Sequence, residues 1–159
     1  MRRHFGLWLA LAGLVVVLDQ ASKAWIMAAF SLGESLTVTP YFNVVYVLNP
    51  GASFNFLADA GGWQRWFFIV LALAICAWLV TMLCHHAAER LLPAATTLIL
   101  GGALGNVADR IRFGAVVDFI QVHAADWYFP AFNVADSAIT LGVVLMLWHQ
   151  VVFKEARDV

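Results

Sequence analysis

Two aspartates stand where an apolar chain has least reason to place them. Asp118 lies in Val116-Val117-Asp118-Phe119-Ile120, and Asp136 in Phe132-Asn133-Val134-Ala135-Asp136-Ser137-Ala138, each near the edge of a membrane-length stretch. An ionisable group in lipid costs roughly 2.5 to 3.5 kcal/mol on insertion scales, so such groups are rare there unless they have a use. Two carboxylates close together in a partly dry site cannot both ionise easily; they share a proton and titrate as a pair. The ionised member can then take a proton from water as that water attacks an amide carbonyl. The protonated member hydrogen-bonds the carbonyl oxygen while the tetrahedral centre forms. No metal, cofactor or covalent intermediate is required.

Other chemistries find little footing. The histidines (His4, His85, His86, His123, His149) and cysteines (Cys76, Cys84) show no HxxEH or CxxC spacing, so no metal site is expected. Cys76 and Cys84 are separated by about 12 Å along a helix, too far for a disulfide, and read as small hydrophobes. His123 is the one histidine in the segments between spans that face the aspartates, and nothing in the sequence pairs it with a nucleophile.

Composition sets the class of protein that must hold these groups. Of 159 residues 63% are hydrophobic and 12% charged, against about 25% charged in a soluble domain. The chain reads as an integral membrane protein. A net charge of −1 with nine scattered Lys and Arg excludes the clustered basic surface that nucleic acid requires.

Four apolar runs read as transmembrane helices, at about 5–28, 66–84, 92–107 and 134–153. The first follows Arg2-Arg3-His4 like a signal peptide, but it lacks a small-residue cleavage site. It continues at helical spacing through Asp19-Gln20-Ala21-Ser22-Lys23, so it is read as a retained span. The stretch 66–84 is uncharged throughout, close to the ~20 residues that cross a bilayer. An even number of spans puts both termini on one side. Arg2, Arg3, Arg90, Lys154 and Arg157 favour the cytoplasm for that side, narrowly, against Lys23, Arg65, Arg110 and Arg112 on the other.

Two outer segments remain, about 30–65 and 109–132. Ser35-Leu36-Thr37-Val38-Thr39 and Tyr41-Phe42-Asn43-Val44-Val45-Tyr46-Val47 are rich in β-branched and aromatic residues around Pro40, which predicts a small strand pair on the membrane surface. Trp63, Trp66, Trp127, Tyr128 and Phe129 flank the spans as an interfacial aromatic belt. The expected fold is therefore a membrane all-α protein of four transmembrane helices with a small β element, forming one domain over 1–159.

Further polar residues gather near the aspartates. Asp19 and Lys23 share a helix face, either as a buried ion pair that fixes register or as support for a site. Asn49-Pro50-Gly51 marks a turn that presents Asn49 and backbone amides inward. Gly101 and Gly105 have small-xxx-small spacing for close helix approach. Asn106 and Arg110 share a face at the end of the third span, beside Asp109, where Arg110 is either an interface anchor or a group that orients a carboxylate. Asn133 is placed to cap the fourth helix, whose first turn holds Asp136.

These elements resemble the bacterial lipoprotein signal peptidases (signal peptidase II) over nearly the whole chain. The resemblance runs through Leu18-Asp19-Gln20-Ala21-Ser22-Lys23 and Asn49-Pro50-Gly51-Ala52-Ser53-Phe54, then Gly102-Ala103-Leu104-Gly105-Asn106-Val107-Ala108-Asp109-Arg110 with Val117-Asp118-Phe119, and the Phe132 to Ala138 run. It implies a monomeric inner-membrane aspartic endopeptidase with both termini cytoplasmic, a periplasmic β-cradle and an active site near the periplasmic face. Such an enzyme removes the signal peptide from a prolipoprotein by cutting before a diacylglyceryl-modified cysteine, works among membrane lipids, and is inhibited by globomycin. By resemblance the catalytic pair is Asp118 and Asp136, supported by Asp19, Lys23, Asn49, Gly51, Asn106, Arg110 and Asn133. Pro50 stands where the family usually has threonine, removing one backbone donor, and Asn55 where it usually has serine. Two other readings use the same residues: a small proton or ion conductor with Asp19, Lys23, Asp118 and Asp136 as relay groups, and a non-catalytic lipid-binding subunit.

Overall fold

The computed structural model describes residues 2–51 and 61–155. Ala52, Ser53, Phe54 and Asn55 of the turn motif lie outside them. In chain order the elements are α1 (Arg2–Ala29), β1 (Ser35–Thr39), β2 (Phe42–Asn49), α2 (Gln64–His86), α3 (Leu91–Phe113), β3 (Val116–Ala124), β4 (Trp127–Tyr128) and α4 (Val134–Glu155). All four helices are long and apolar enough to cross a membrane, so this is a multi-pass membrane protein with a small antiparallel sheet.

The four helices are arranged around α3, whose apolar window is 67% buried against 11% for α1 and α4 and 22% for α2. Its glycines explain the position, since between lipid-embedded helices close packing replaces the hydrophobic drive and needs small side chains. A Cβ on Gly101 would stand 2.6 Å from Val15 Cβ and 2.7 Å from the Ala12 carbonyl oxygen of α1. One on Gly105 would meet the Asp19 carboxylate, and one on Gly102 the Ala135 carbonyl and Ile139 of α4. Gly142 returns the contact from α4, against Ala95 and Ile99. A core of Ala12, Cys76, Leu79, Ile99 and Leu100 fills the space between α1, α2 and α3. Cys76 is buried, Cys84 is exposed, and both are free thiols.

Helix α3 does not stop near Val107 but runs on to Phe113, so Asp109 and Arg110 belong to the helix and are buried. Gly114, at φ 79°, ends it in the left-handed conformation, and its N–H returns to the Arg110 carbonyl. Arg65 of α2 donates to the Ile111 carbonyl at 2.7 Å, satisfying another acceptor of that last turn.

The sheet has the order β1-β2-β3-β4. Strands β1 and β2 form the expected pair, joined by a turn at Pro40 and Tyr41. The stretch around Asp118 adds a third strand, consistent with its valines and aromatic residue. In the β2–β3 register Asp118 lies opposite Val47 and Val116 opposite Asn49, after an irregularity between Val44 and Val47. An isolated bridge from Ile120 to Phe132 leads the chain back to the start of α4. The sheet thus carries Asn49 and Asp118 to the end of the helices where α4 begins. Trp63, Trp66, Trp127 and Tyr128 are exposed around that end, as an aromatic belt would be.

Gly102→Ala tests the close approach of α3 to α4. Its methyl meets backbone, which cannot swing aside as a side chain can, so overpacking should lower stability by roughly 1–3 kcal/mol. Thermal unfolding in detergent measures the loss.

Candidate active site

Asp118 comes from β3 and is 2% exposed. Its Oδ1 accepts a hydrogen bond from Asn133 Nδ2 at 2.7 Å and its Oδ2 one from Asn49 Nδ2 at 3.1 Å. Asn49 is held in turn by its own Oδ1, which accepts from the Gly51 N–H at 3.0 Å. This is the local side-chain turn that asparagine favours, and it leaves the amide nitrogen facing Asp118.

Asp136 sits in the first turn of α4. Its N–H donates to Asn133 Oδ1 at 2.9 Å, while its Oδ2 accepts from the Asn133 N–H at 3.2 Å. This reciprocal cap answers two of the free N–H groups at the helix start. The other carboxylate oxygen, Oδ1, accepts from Asn106 Nδ2 at 2.8 Å. Asn133, fully buried, therefore touches both aspartates: its side chain binds Asp118 and its backbone binds Asp136.

Asn106 has its amide orientation set from behind. Lys23 Nζ donates to Asn106 Oδ1 at 3.0 Å, which leaves Nδ2 for Asp136. Lys23 is also ion-paired with Asp19 at 2.9 Å and with Asp109 at 2.7 Å, all three side chains being at most 1% exposed. Asp19 serves a second purpose, accepting from the Ala135 N–H at 2.9 Å at the N-terminus of α4. The ion pair expected from sequence is present, extended by Asp109 into a cluster of three charged side chains, and Gln20 Nε2 joins it by donating to Asp109 Oδ1 at 2.8 Å.

Among the described residues Arg110 makes no direct hydrogen bond to a carboxylate. Its Nη2 donates to the Gly51 carbonyl at 2.8 Å and its guanidinium lies 5.0 Å from the centre of the Phe68 ring. Arg110 therefore ties the Asn49–Gly51 turn to α3.

A cavity of about 580 Å³ opens onto this cluster. Asn49, Gly51, Asn106, Arg110, Asp118 and Asp136 line its polar part; Phe129, Phe132, Leu141 and Val144 are among the apolar residues of the rest, with Ser137 and Thr140 of α4 beside them. Phe129 faces the cavity. Leu141 and Val144 are exposed on α4, so the cavity reaches the lipid-facing side of that helix. Asp19 and Lys23 lie behind the lining and act through Asn106 and Ala135. Among the described residues no group of three or more His, Cys, Asp or Glu is placed to hold a metal ion.

The sequence reading named the asparagines, Gly51, Arg110 and both aspartates of the lining, but it gave no site role to Ser137 or Thr140 of the lining, nor to Asp109 or Gln20 behind it. Asp109 follows Asn106 by three residues on a helix, so the shared face was visible. Its partners were not, because Val117 and Lys23 come from other elements.

Burial pushes the Asp118 carboxyl up to about 7, with the Asp136 charge acting in the same direction; hydrogen bonds from Asn49 and Asn133 and the Lys23 charge oppose it. Near neutrality Asp118 can therefore exist as the acid or as the carboxylate.

A family described as Signal peptidase (SPase) II matches residues 11–152 of the chain. The lipoprotein signal peptidase of Azoarcus sp. (strain BH72) is 57% identical over 143 residues, spanning 90% of this chain and 81% of that protein. That of Cupriavidus necator is 55% identical over 141 residues, with 89% and 81% spanned. A bacterial membrane enzyme structure obtained by the in meso method at 2.3 Å resolution superposes with a TM-score of 0.83 at 32% identity, covering 96% of this chain and 91% of that one.

Titration of aspartate-labelled protein by carbon NMR should give Asp118 an apparent pKa of about 7. In Asp136→Asn the value should fall, since removing a neighbouring negative charge makes the ionised form easier to reach. An unchanged value would mean that the two carboxyls do not sense each other.

Proposed function

The chain belongs to the signal peptidase II family, and from that premise we propose that Asp118 and Asp136 are the catalytic pair of this membrane protease. The observation that carries the reading is Asn133, which binds both carboxyls at the polar end of a cavity walled beyond them mainly by apolar residues. As a lipoprotein signal peptidase the enzyme acts on prolipoproteins. The finer specificity we infer is cleavage of the signal peptide immediately before a diacylglyceryl-modified cysteine.

With one proton on the pair, the ionised carboxylate takes a proton from water as the water oxygen attacks the scissile carbonyl carbon. The protonated carboxyl hydrogen-bonds the carbonyl oxygen as it gains negative charge. Collapse of the tetrahedral centre breaks the C–N bond, and the carboxyl that received the water proton passes it to the leaving amine. Asn49, Asn106 and Asn133 hold both carboxyls at fixed positions through this sequence, so little reorganisation accompanies the charge movement. Neutral amides as partners also leave the pair free to keep its proton, which a direct arginine or lysine contact would oppose. Gly51 and Arg110 line the cavity where a substrate backbone would lie, and globomycin-type inhibitors would occupy the same space.

We place the protein in the bacterial inner membrane as a monomer, with both termini in the cytoplasm and the sheet on the periplasmic face. The four cations that weaken the charge asymmetry are all engaged by the fold. Lys23 is ion-paired, Arg110 binds Gly51, Arg65 binds Ile111 and Arg112 donates to Gln20 Oε1. Cations held in this way answer to local structure, which leaves the ends and the α2–α3 loop to carry the orientation signal. The ion-conductor reading is disfavoured, because Asp19, Lys23, Asp118 and Asp136 are linked in one cluster instead of being strung through the bilayer.

Purified protein in detergent should cleave a diacylglyceryl-modified prolipoprotein, and Asp118→Asn or Asp136→Asn should each abolish cleavage while the variant remains folded. Full activity in either variant would sink the pair mechanism; equal cleavage of unlipidated precursor would refute the lipid requirement. Because the Asp118 carboxyl titrates at about 7 and the pair must retain one proton, kcat should fall as pH rises through that region. A rate still rising above pH 8 would contradict the shared proton.

A further inference from the structure

The residue before each member of the pair has its backbone N–H held by a buried carboxylate. Ala135, before Asp136, donates to Asp19 Oδ1 at 2.9 Å; Val117, before Asp118, donates to Asp109 Oδ2 at 3.1 Å. Both carboxylates bind the same ammonium, Lys23 Nζ, at 2.9 and 2.7 Å. The aspartates come from different elements, a strand and a helix, yet their backbones are tied to one cation.

We propose that Asp109 is a positioning residue for the peptidase reaction, matched with Asp19 across Lys23, so that one buried cation sets the backbone of both members of the pair. The proposal rests on the catalytic reading of Asp118 and Asp136. Asp109 touches neither. It acts on Asp118 through the Val117 peptide, whose carbonyl is held in turn by Asn133 Nδ2 at 3.3 Å. It acts on Asp136 through Lys23 and Asn106.

Charge balance alone does not account for Asp109. Lys23 already has Asp19 one turn away on its own helix, so at that ammonium a second buried carboxylate is in excess of one-to-one pairing. Burying a charge beyond what pairing needs is unfavourable, yet Asp109 is 1% exposed and fully engaged. Lys23 and the Val117 N–H share Oδ2, and Gln20 takes Oδ1. The excess has a consequence at the pair, because a second anion beside Lys23 offsets the pull of that cation on Asp118. Among the described residues, the charged groups from elements packed around the pair are Asp19 and Lys23 of α1 and Asp109 and Arg110 of α3; β2 contributes the neutral Asn49.

Asp109→Asn keeps the size and one acceptor, removes the charge, and leaves Lys23 its pair with Asp19. With a diacylglyceryl-modified prolipoprotein as substrate, kcat should fall about 100-fold, the loss that a misplacement near 1 Å causes, with KM little changed. The alkaline limb of the kcat profile should move to lower pH by roughly 1 unit, as expected for loss of a nearby negative charge. In the double variant Lys23→Met, Asp109→Asn, the cation is removed as well and the limb should return towards its wild-type position. If Asp109 serves only to hold the fold, Asp109→Asn will lower Tm and yield while kcat per folded enzyme and the limb stay at wild-type values, and the proposal is overturned. Should Asp109→Asn fail to fold, Asp109→Glu carries the test. It keeps the charge on a longer arm that displaces the Val117 contact, so kcat should fall with the limb unmoved, and wild-type kcat would overturn the proposal. Activity surviving in Asp118→Asn or Asp136→Asn would instead defeat the catalytic reading itself.

Discussion

A single ammonium group inside a lipid-embedded bundle is the constraint from which the rest of this structure follows. Lys23 cannot reach water at 1% exposure, and an uncompensated charge there would cost far more than the fold has to spare. Its partners must therefore come to it. Asp19 is supplied by the same helix, but Asp109 and Asn106 belong to α3, so α1 and α3 must approach closely. The glycines at 101 and 105 permit that approach; a side chain at 105 would occupy the space of the Asp19 carboxylate. The same carboxylate reaches Ala135 and so fixes where α4 begins. Packing and electrostatics are one problem here, solved by small residues beside charged ones.

From that cluster outward, the groups that meet the candidate pair are neutral. Three asparagines, each from a different part of the chain, turn amide donors towards Asp118 and Asp136. Their orientations are enforced by what lies behind: Lys23 takes the oxygen of Asn106, and the Gly51 N–H takes that of Asn49. Charge sits one layer away from the carboxyls and amides sit against them. This ordering holds the side chains in place without forcing both to ionise. Arg110 fits the same scheme, since its guanidinium binds the Gly51 carbonyl and lies over Phe68 instead of gripping an aspartate.

The cavity joins two environments. Its polar end is built by α3, β2, β3 and the start of α4, while Leu141 and Val144 carry it along the exposed face of α4. The segment from Phe129 to Phe132, pinned to β3 by the Ile120 and Phe132 bridge, also lines the cavity.

Much of this was legible in the sequence because the signals are local. Nineteen uncharged residues in a row, a glycine at i and i+4, and Asn133 three residues before Asp136 are short-range patterns, and spans, close packing and a helix cap follow from them directly. The residue types also determined what chemistry was available, since carboxylates in apolar surroundings are costly enough to mark themselves. What the chain order concealed was which polar groups meet. That Asp109 binds Lys23 and the Val117 N–H, that Asn133 bridges the two aspartates, and that Phe129 faces the cavity depend on contacts between segments far apart along the chain. Such contacts are settled by helix crossing and strand register, where one residue of slip turns a side chain to the other face. Periodicity determined which groups this protein must bury; only tertiary packing decided which of them would neutralise one another and which would be left to react.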